Sequence, residues 1–294
     1  MSAFLDAVTG WTLFGGLVAT TGAVTTRWLV LPRSHPGAVP PAQTDDVARI
    51  GAVGALALVV GLGLFFLRQL VEFRDPFSPW SDEASLLLGT AWGRTWVWAS
   101  VGALVLLCMF AIARRHPAGW WGALLLVAAV DAFPALTGHA AAAERWSVLF
   151  VAADTLHVLA AGAWIGGLAT VLWLERSHRR SQAGMSLLPQ LVPAFSPVAV
   201  AAVATLVATG ALASWELLPS PGAFLTSTWG RLLLLKLVVL AGVLALGARN
   251  FRVLTPRLGS SEGNTAMRRS AALELAVAQV VLIVTALLVR TSPM

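Results

Sequence analysis

Charge is scarce in this sequence. Only 12% of its 294 residues are Asp, Glu, Lys or Arg, against about a quarter in ordinary soluble domains. There is no tyrosine, and Cys108 is the single cysteine. One cysteine excludes a disulfide framework and a thiolate metal cluster, and within an apolar run it reads as a small core residue. The five methionines, at 1, 109, 185, 267 and 294, are scattered and make no thioether ladder. Walker, dinucleotide and nucleophile-elbow patterns are absent, which argues against ATP-driven pumping within the chain. No catalytic constellation is legible, and an enzyme is not expected.

Apolar residues, by contrast, make up 57% of the chain, and the mean hydropathy is +0.78. A disordered chain is excluded, and a soluble globule of this size cannot hide so much apolar surface. A bilayer can, since a spanning helix needs about 20 apolar residues. Eight apolar runs stand at roughly 8–30, 49–73, 92–113, 118–137, 148–174, 192–215, 229–249 and 270–290, with proline-containing breaks between most of them. The fold expected is all-α: a polytopic membrane protein, a bundle of about eight transmembrane helices forming one transmembrane domain over 1–294. The first run has no basic residue before it and is read as a retained helix rather than a signal peptide. No internal repeat is convincing, and no long soluble segment is seen, so a soluble partner is expected to be a separate chain.

The net charge is +6. In a soluble protein that would suggest nucleic acid; here loop arginines read as topology signals and lipid-phosphate contacts, and no nucleic-acid partner is expected. Thirteen arginines fall in the odd-to-even loops and their helix ends, and six on the opposite side. The positive-inside rule then puts the thirteen in the cytoplasm and both termini outside. Many of the 13 tryptophans, among them Trp11, Trp28, Trp120, Trp121, Trp146, Trp173, Trp215 and Trp229, stand near run ends as an aromatic belt requires.

Ionisable groups within the runs each need a reason, because a charge in hydrocarbon costs at least about 2.5–3.5 kcal/mol. Asp131 lies in the fourth run, Asp154 and His157 in the fifth, and Lys236 in the seventh. At about 1.5 Å rise per residue they sit roughly 9, 9, 13 and 10 Å from the outer ends of their runs, in one layer. Asp154 and His157 are spaced i, i+3 and share a helix face. His139, in Thr137-Gly138-His139, precedes His157 by 18 residues across a turn of the chain. The bland readings are an ion pair of Lys236 with Asp131 or Asp154, a core histidine and a loop histidine. Two imidazoles with nearby carboxylates also make a metal site of the kind that suits copper. Gly162-x-x-x-Gly166-Gly167 reads as a smooth packing face rather than chemistry.

At these residues the sequence resembles the copper resistance protein D (CopD) family of bacterial inner-membrane proteins. The likeness runs through Thr137-Gly138-His139-Ala140, Asp154-Thr-Leu-His157 on to Trp164 and Gly166-Gly167-Leu168, Phe195-Ser196-Pro197, Thr209-Gly210, Trp229-Gly230-Arg231 on to Lys236, and Gly247-Ala-Arg-Asn250. Thr90-Ala-Trp-Gly93-Arg94 adds an earlier piece, so the family-like core covers about 90–252. The resemblance implies an eight-helix protein that moves copper across the inner membrane with a periplasmic CopC-like copper-binding protein. Where the family pattern often has Tyr, this chain has Trp229, which keeps a belt role without the hydroxyl.

The reading that follows places metal ligands at His139, His157, Asp154 and Asp131, with Lys236 as their charge partner and a copper ion as cargo. His139 captures the ion at the outer mouth, and His157 with Asp154 receives it. Lys236 holds a carboxylate until the ion competes for it. Two other readings remain open. One is a membrane redox protein holding b-type haem or acting on quinol, for which a second axial ligand at the depth of His157 is missing unless His139 folds inward. The other is a non-transporting docking partner of a periplasmic copper protein.

Overall fold

A computed structural model of the chain describes residues 3–35, 37–138, 140–141, 143, 145–182, 184–217 and 222–291. Among them eight helices are long and apolar enough to cross a membrane. They are α1 Phe4–Ser34, α2 Pro41–Glu72, α3 Ala91–Ala113, α4 Ala118–Thr137, α5 Ser147–Ser181, α6 Leu188–Leu217, α7 Thr228–Arg257 and α8 Ser261–Leu288. No strand occurs among the described residues. The chain is an all-α multi-pass membrane protein. Every span but α4 runs past its apolar run at one or both ends, so polar residues there belong to helices rather than loops.

The core is organised around α1, which packs against α2, α5, α8 and α4. Its most apolar stretch is 61% buried, whereas that of α7 is 11% buried and faces outward. Small residues let the backbones meet. A Cβ on Gly166 would stand 1.9 Å from the Val18 carbonyl oxygen, and one on Gly22 would stand 2.1 Å from the Gly166 carbonyl carbon. Gly16 and Gly61 let α1 and α2 meet, where a Cβ would stand 2.6 Å from Leu58 N and 2.7 Å from Leu13 Cα. Apolar side chains gain nothing by leaving lipid for a protein interior, so close van der Waals contact of this kind is what joins helices in a membrane.

Polar clamps close both ends. At the face of the termini Arg68, 7% exposed, bonds Asp6 at 2.5 Å and Glu72 at 2.7 Å, and Arg290 bonds Glu72 at 2.6 Å. Arg68 therefore ties α1 to α2, and Glu72 ties α2 to the end of α8. At the arginine-rich face Glu175, 1% exposed, accepts from the Leu187 amide at 2.7 Å, the Ser186 hydroxyl at 2.9 Å and Arg268 at 3.3 Å. It closes the turn from α5 to α6 and holds α8.

One start device appears twice. Thr90-Ala-Trp-Gly93-Arg94 opens α3 and Ser227-Thr-Trp-Gly230-Arg231 opens α7. In each the hydroxyl accepts from the glycine amide at 2.9 Å, and the arginine donates back to carbonyls of the preceding short helix, Gly89 or Leu225. These are N-caps at the same face, four helices apart. Three π-helical turns interrupt the spans, at Thr26–Val30, Gly162–Gly166 and Asn250–Leu254. The tryptophan belt is partial: Trp11, Trp98, Trp121, Trp146, Trp173 and Trp215 are exposed, but Trp120 and Trp229 are buried in the bundle. Trp120 packs edge-on against Phe110.

Gly166→Ala is expected to destabilise the protein by about 1–3 kcal/mol, because backbone must separate from backbone. Gly15→Ala and Gly63→Ala, where nothing lies within 4 Å, should be neutral or stabilising by up to about 1 kcal/mol. Thermal unfolding in detergent checks both, and equal effects at all three positions would contradict the close-contact account.

Candidate functional site

The first helical segment of α5, Ser147–Ala161, follows Trp146, whose backbone is left-handed at φ 61°. That residue turns the chain into the span. Asp154 and His157 come two and three turns later, both half-buried, on the face that packs against α6. His157 Nδ1 lies 2.8 Å from Thr209 Oγ1. The Thr209 hydroxyl has already spent its proton on the Thr205 carbonyl at 2.7 Å. With that bond kept, Thr209 accepts from His157 Nδ1, and Nε2 of a neutral ring is left with the lone pair. Gly210 leaves the ring room, since a Cβ there would stand 3.6 Å from His157 Cε1.

Lys236 of α7 is half-buried. His157 and Thr209 join α5 to α6, and Lys236 lies within electrostatic reach of Asp154 and His157. An imidazole nitrogen and a carboxylate oxygen can ligate a transition-metal ion, and the ammonium balances the carboxylate in its absence.

The remaining expected ligands are Asp131 and His139. Asp131, 1% exposed, accepts a 2.6 Å hydrogen bond from the Thr21 hydroxyl of α1. Thr21 packs on Gly162, where a Cβ would meet Thr21 Cβ at 2.4 Å. Gly162 lies five residues beyond His157, about 8 Å further along α5. Asp131 thus clamps α4 to α1. His139 lies outside the described residues. Among the described residues no three His, Cys, Asp or Glu side chains come together to hold a metal. Outside the bundle interior, His116 caps the loop before α4 through the Ala118 amide, and His35 bonds Ser34.

Two functional-looking groups escape a reading of the sequence. Thr209 bonds the ring of His157, and its only signal is its place in the Thr209-Gly210 pair. Glu274 of α8 is 5% exposed, and it stands so near the start of its apolar run that it reads as a helix-end carboxylate.

Comparison with known proteins agrees with these features. Residues 189–288 match the family model described as copper resistance protein D. Residues 1–149 match the one described as copper resistance protein D-like, N-terminal domain. Inner membrane protein YebZ of Escherichia coli is 32% identical over 227 residues, 74% of this chain and 74% of that protein. Copper transport protein CutJ of Bacillus subtilis is 30% identical over 205 residues, 68% of this chain but 37% of its own length. No solved structure matches the chain.

If Asp131 is a helix clamp, Asp131→Ala should cost about 1–3 kcal/mol, because the buried Thr21 hydroxyl loses its side-chain acceptor. Asp131→Asn, which keeps an acceptor oxygen, should cost less. Thr21→Val should add little to Asp131→Ala, since one interaction is lost once. Thermal unfolding of the single and double variants measures the coupling, and strict additivity would refute the clamp.

Proposed function

The chain belongs to the copper resistance protein D family, and from that membership together with the cluster on α5, α6 and α7 we propose that it carries copper across a bacterial inner membrane. The observation that carries the proposal is the bond between His157 Nδ1 and the Thr209 hydroxyl: a proton held on Nδ1 leaves Nε2 free to ligate the cargo. A relative named a copper transport protein and another named an inner membrane protein support the substrate and the location. The positive-inside rule supports the orientation, with the arginine-rich loops cytoplasmic and both termini periplasmic.

Copper is substrate here, not a resident cofactor. In the proposed sequence His139 takes the ion at the outer mouth, in hand-off from a CopC-like periplasmic protein. His157 and Asp154 receive it in the bundle. Lys236 and Asp154 neutralise one another in the empty state, which lowers the cost of holding either charge in the membrane. An arriving cation competes with Lys236 for the Asp154 carboxylate, and Lys236 in turn keeps the bound ion from being trapped. Asp131 contributes negative potential from α4. No covalent chemistry is needed, and the protein is read as a non-enzymatic transporter.

Copper binding by the detergent-purified protein and flux into proteoliposomes test this. His157→Ala should abolish flux and weaken binding at least tenfold, and Thr209→Val should weaken binding by about 10–100-fold through loss of ligand orientation. Lys236→Met should tighten binding and slow release. Unchanged affinity in His157→Ala removes the site. Binding without flux in the wild-type protein removes transport and leaves a docking or storage role.

A further inference from the structure

A second polar centre lies deeper in the bundle, and the copper reading does not use it. Glu274, midway along α8, is 5% exposed. It accepts from Asn250 Nδ2 at 2.7 Å, and the Trp164 indole is a further hydrogen-bond partner. Both donors stand in π-helical turns, Trp164 in Gly162–Gly166 of α5 and Asn250 at the head of Asn250–Leu254 of α7. A π-turn inserts one residue and rotates the helix face beyond it, and such turns recur at functional sites. Two of the three π-turns among the described residues bring a side chain to the same carboxylate.

The centre is incomplete in two complementary ways. Among the described residues no Arg or Lys forms an ion pair with Glu274: Arg27 of α1 lies over the Trp28 and Trp120 rings with its Nε unpartnered, and Lys236 of α7 lies within electrostatic reach of Asp154. Arg249 of α7 bonds Ser270 at 3.3 Å, Arg268 bonds Glu175 of α5, and Arg252, Arg257 and Arg269 are exposed. Asn250, 7% exposed, has a buried Oδ1 that lacks any hydrogen-bond partner. An unpaired carboxylate in a low-dielectric interior costs several kcal/mol, and an orphaned acceptor costs about 1–3 kcal/mol. What is missing is one positive charge and one donor. Gly247 leaves space against the carboxylate, where a Cβ would stand 3.3 Å from Oε1.

A proton supplies both. A metal ion fits less well: N–H donors already occupy the carboxylate, and no second His, Cys, Asp or Glu joins it into a metal-holding group among the described residues. We propose that Glu274, cradled by Asn250 and Trp164, is a reversible proton-binding site within the membrane. A hydronium gives its proton to the carboxylate oxygen, leaving water and a neutral carboxylic acid, and the reverse step returns it. Trp164 lies seven residues beyond His157, about 10 Å further along α5 toward the arginine-rich face. The site therefore stands between the copper cluster and that face, placed to exchange a proton as cargo moves. This last step rests on the transport reading; the proton site itself does not.

Infrared difference spectra of the purified wild-type protein between acid and alkaline pH test the site directly. The expected result is a C=O band of a buried protonated carboxyl that appears with acid, is lost in Glu274→Gln, and is displaced in frequency in Asn250→Leu. A band that persists in Glu274→Gln, or no titrating band in the wild type, overturns the proposal. So does a wild-type band that sodium or cuprous ion bleaches at constant pH, since that would make the centre a metal site. In proteoliposomes, a pH gradient should change the wild-type copper flux several-fold and leave Glu274→Gln unresponsive. Absent flux in the wild type refutes the transport reading alone, because the infrared result still decides the proton site. Flux that responds equally in both proteins overturns the coupling.

Discussion

Everything in this bundle is hung on the place where α1 and α5 meet backbone to backbone. In lipid there is no hydrophobic gain in burying one leucine against another, so helices associate through close contact and through polar groups that have nowhere else to go. Gly22 and Gly166 supply the first: neither tolerates a Cβ without moving main chain. Thr21, one residue away, supplies the second by giving its proton to Asp131. With α1 fixed on α5, α2 and α4 are fixed on α1, and the His157 face of α5 is left turned to α6 and α7. The contact thus decides which face of α5 is structural and which is available for chemistry.

The positions of the eight spans were legible because hydrocarbon imposes a length that local sequence must meet. Gly162-x-x-x-Gly166 was legible as a packing face for the same reason: only small residues permit that approach. Partnerships between distant segments were not. Arg68 counts as a loop arginine in a topology tally, yet it is buried, with Asp6 from one helix and Glu72 from its own as partners. Trp120 and Trp229 stand at run ends as belt residues do, and the bundle turns both inward. Asp131 and His157 share a depth if helices are straight and level. The bond that Asp131 makes, to the Thr21 hydroxyl of α1, does not follow from a count of residues.

The π-turns explain why the deeper chemistry was the least legible part. A reading at 3.6 residues per turn projects each helix onto one continuous face. An inserted residue shifts that projection by about 100° for everything beyond it, so Trp164 and Asn250 cannot be assigned a common neighbour from spacing alone. Glu274 then looks like a solitary carboxylate near a helix start, and Glu175 looks like part of an arginine-rich helix end. Their real environments come from three or four helices at once: Glu175 satisfies a turn and two helices, while Glu274 gathers donors from two interrupted ones.

The three buried acids beyond the His157 cluster differ in how they are held. Asp131 takes one hydrogen bond from the central helix, which holds α4, and its Oδ1 is buried without a partner among the described residues. Glu175 is fully engaged by amide, hydroxyl and guanidinium. Glu274 is held by two donors that orient it without neutralising it, beside an amide oxygen still lacking a partner. Those donors also require two interrupted helices, each a local loss of regular backbone bonding. A fold does not gain stability by arranging irregular turns around an uncompensated charge, and a hydrocarbon residue at 274 would pack without either. Such a centre is what a membrane carrier needs if a small cation must enter and leave it, since a fully satisfied carboxylate would have no reason to release or accept anything.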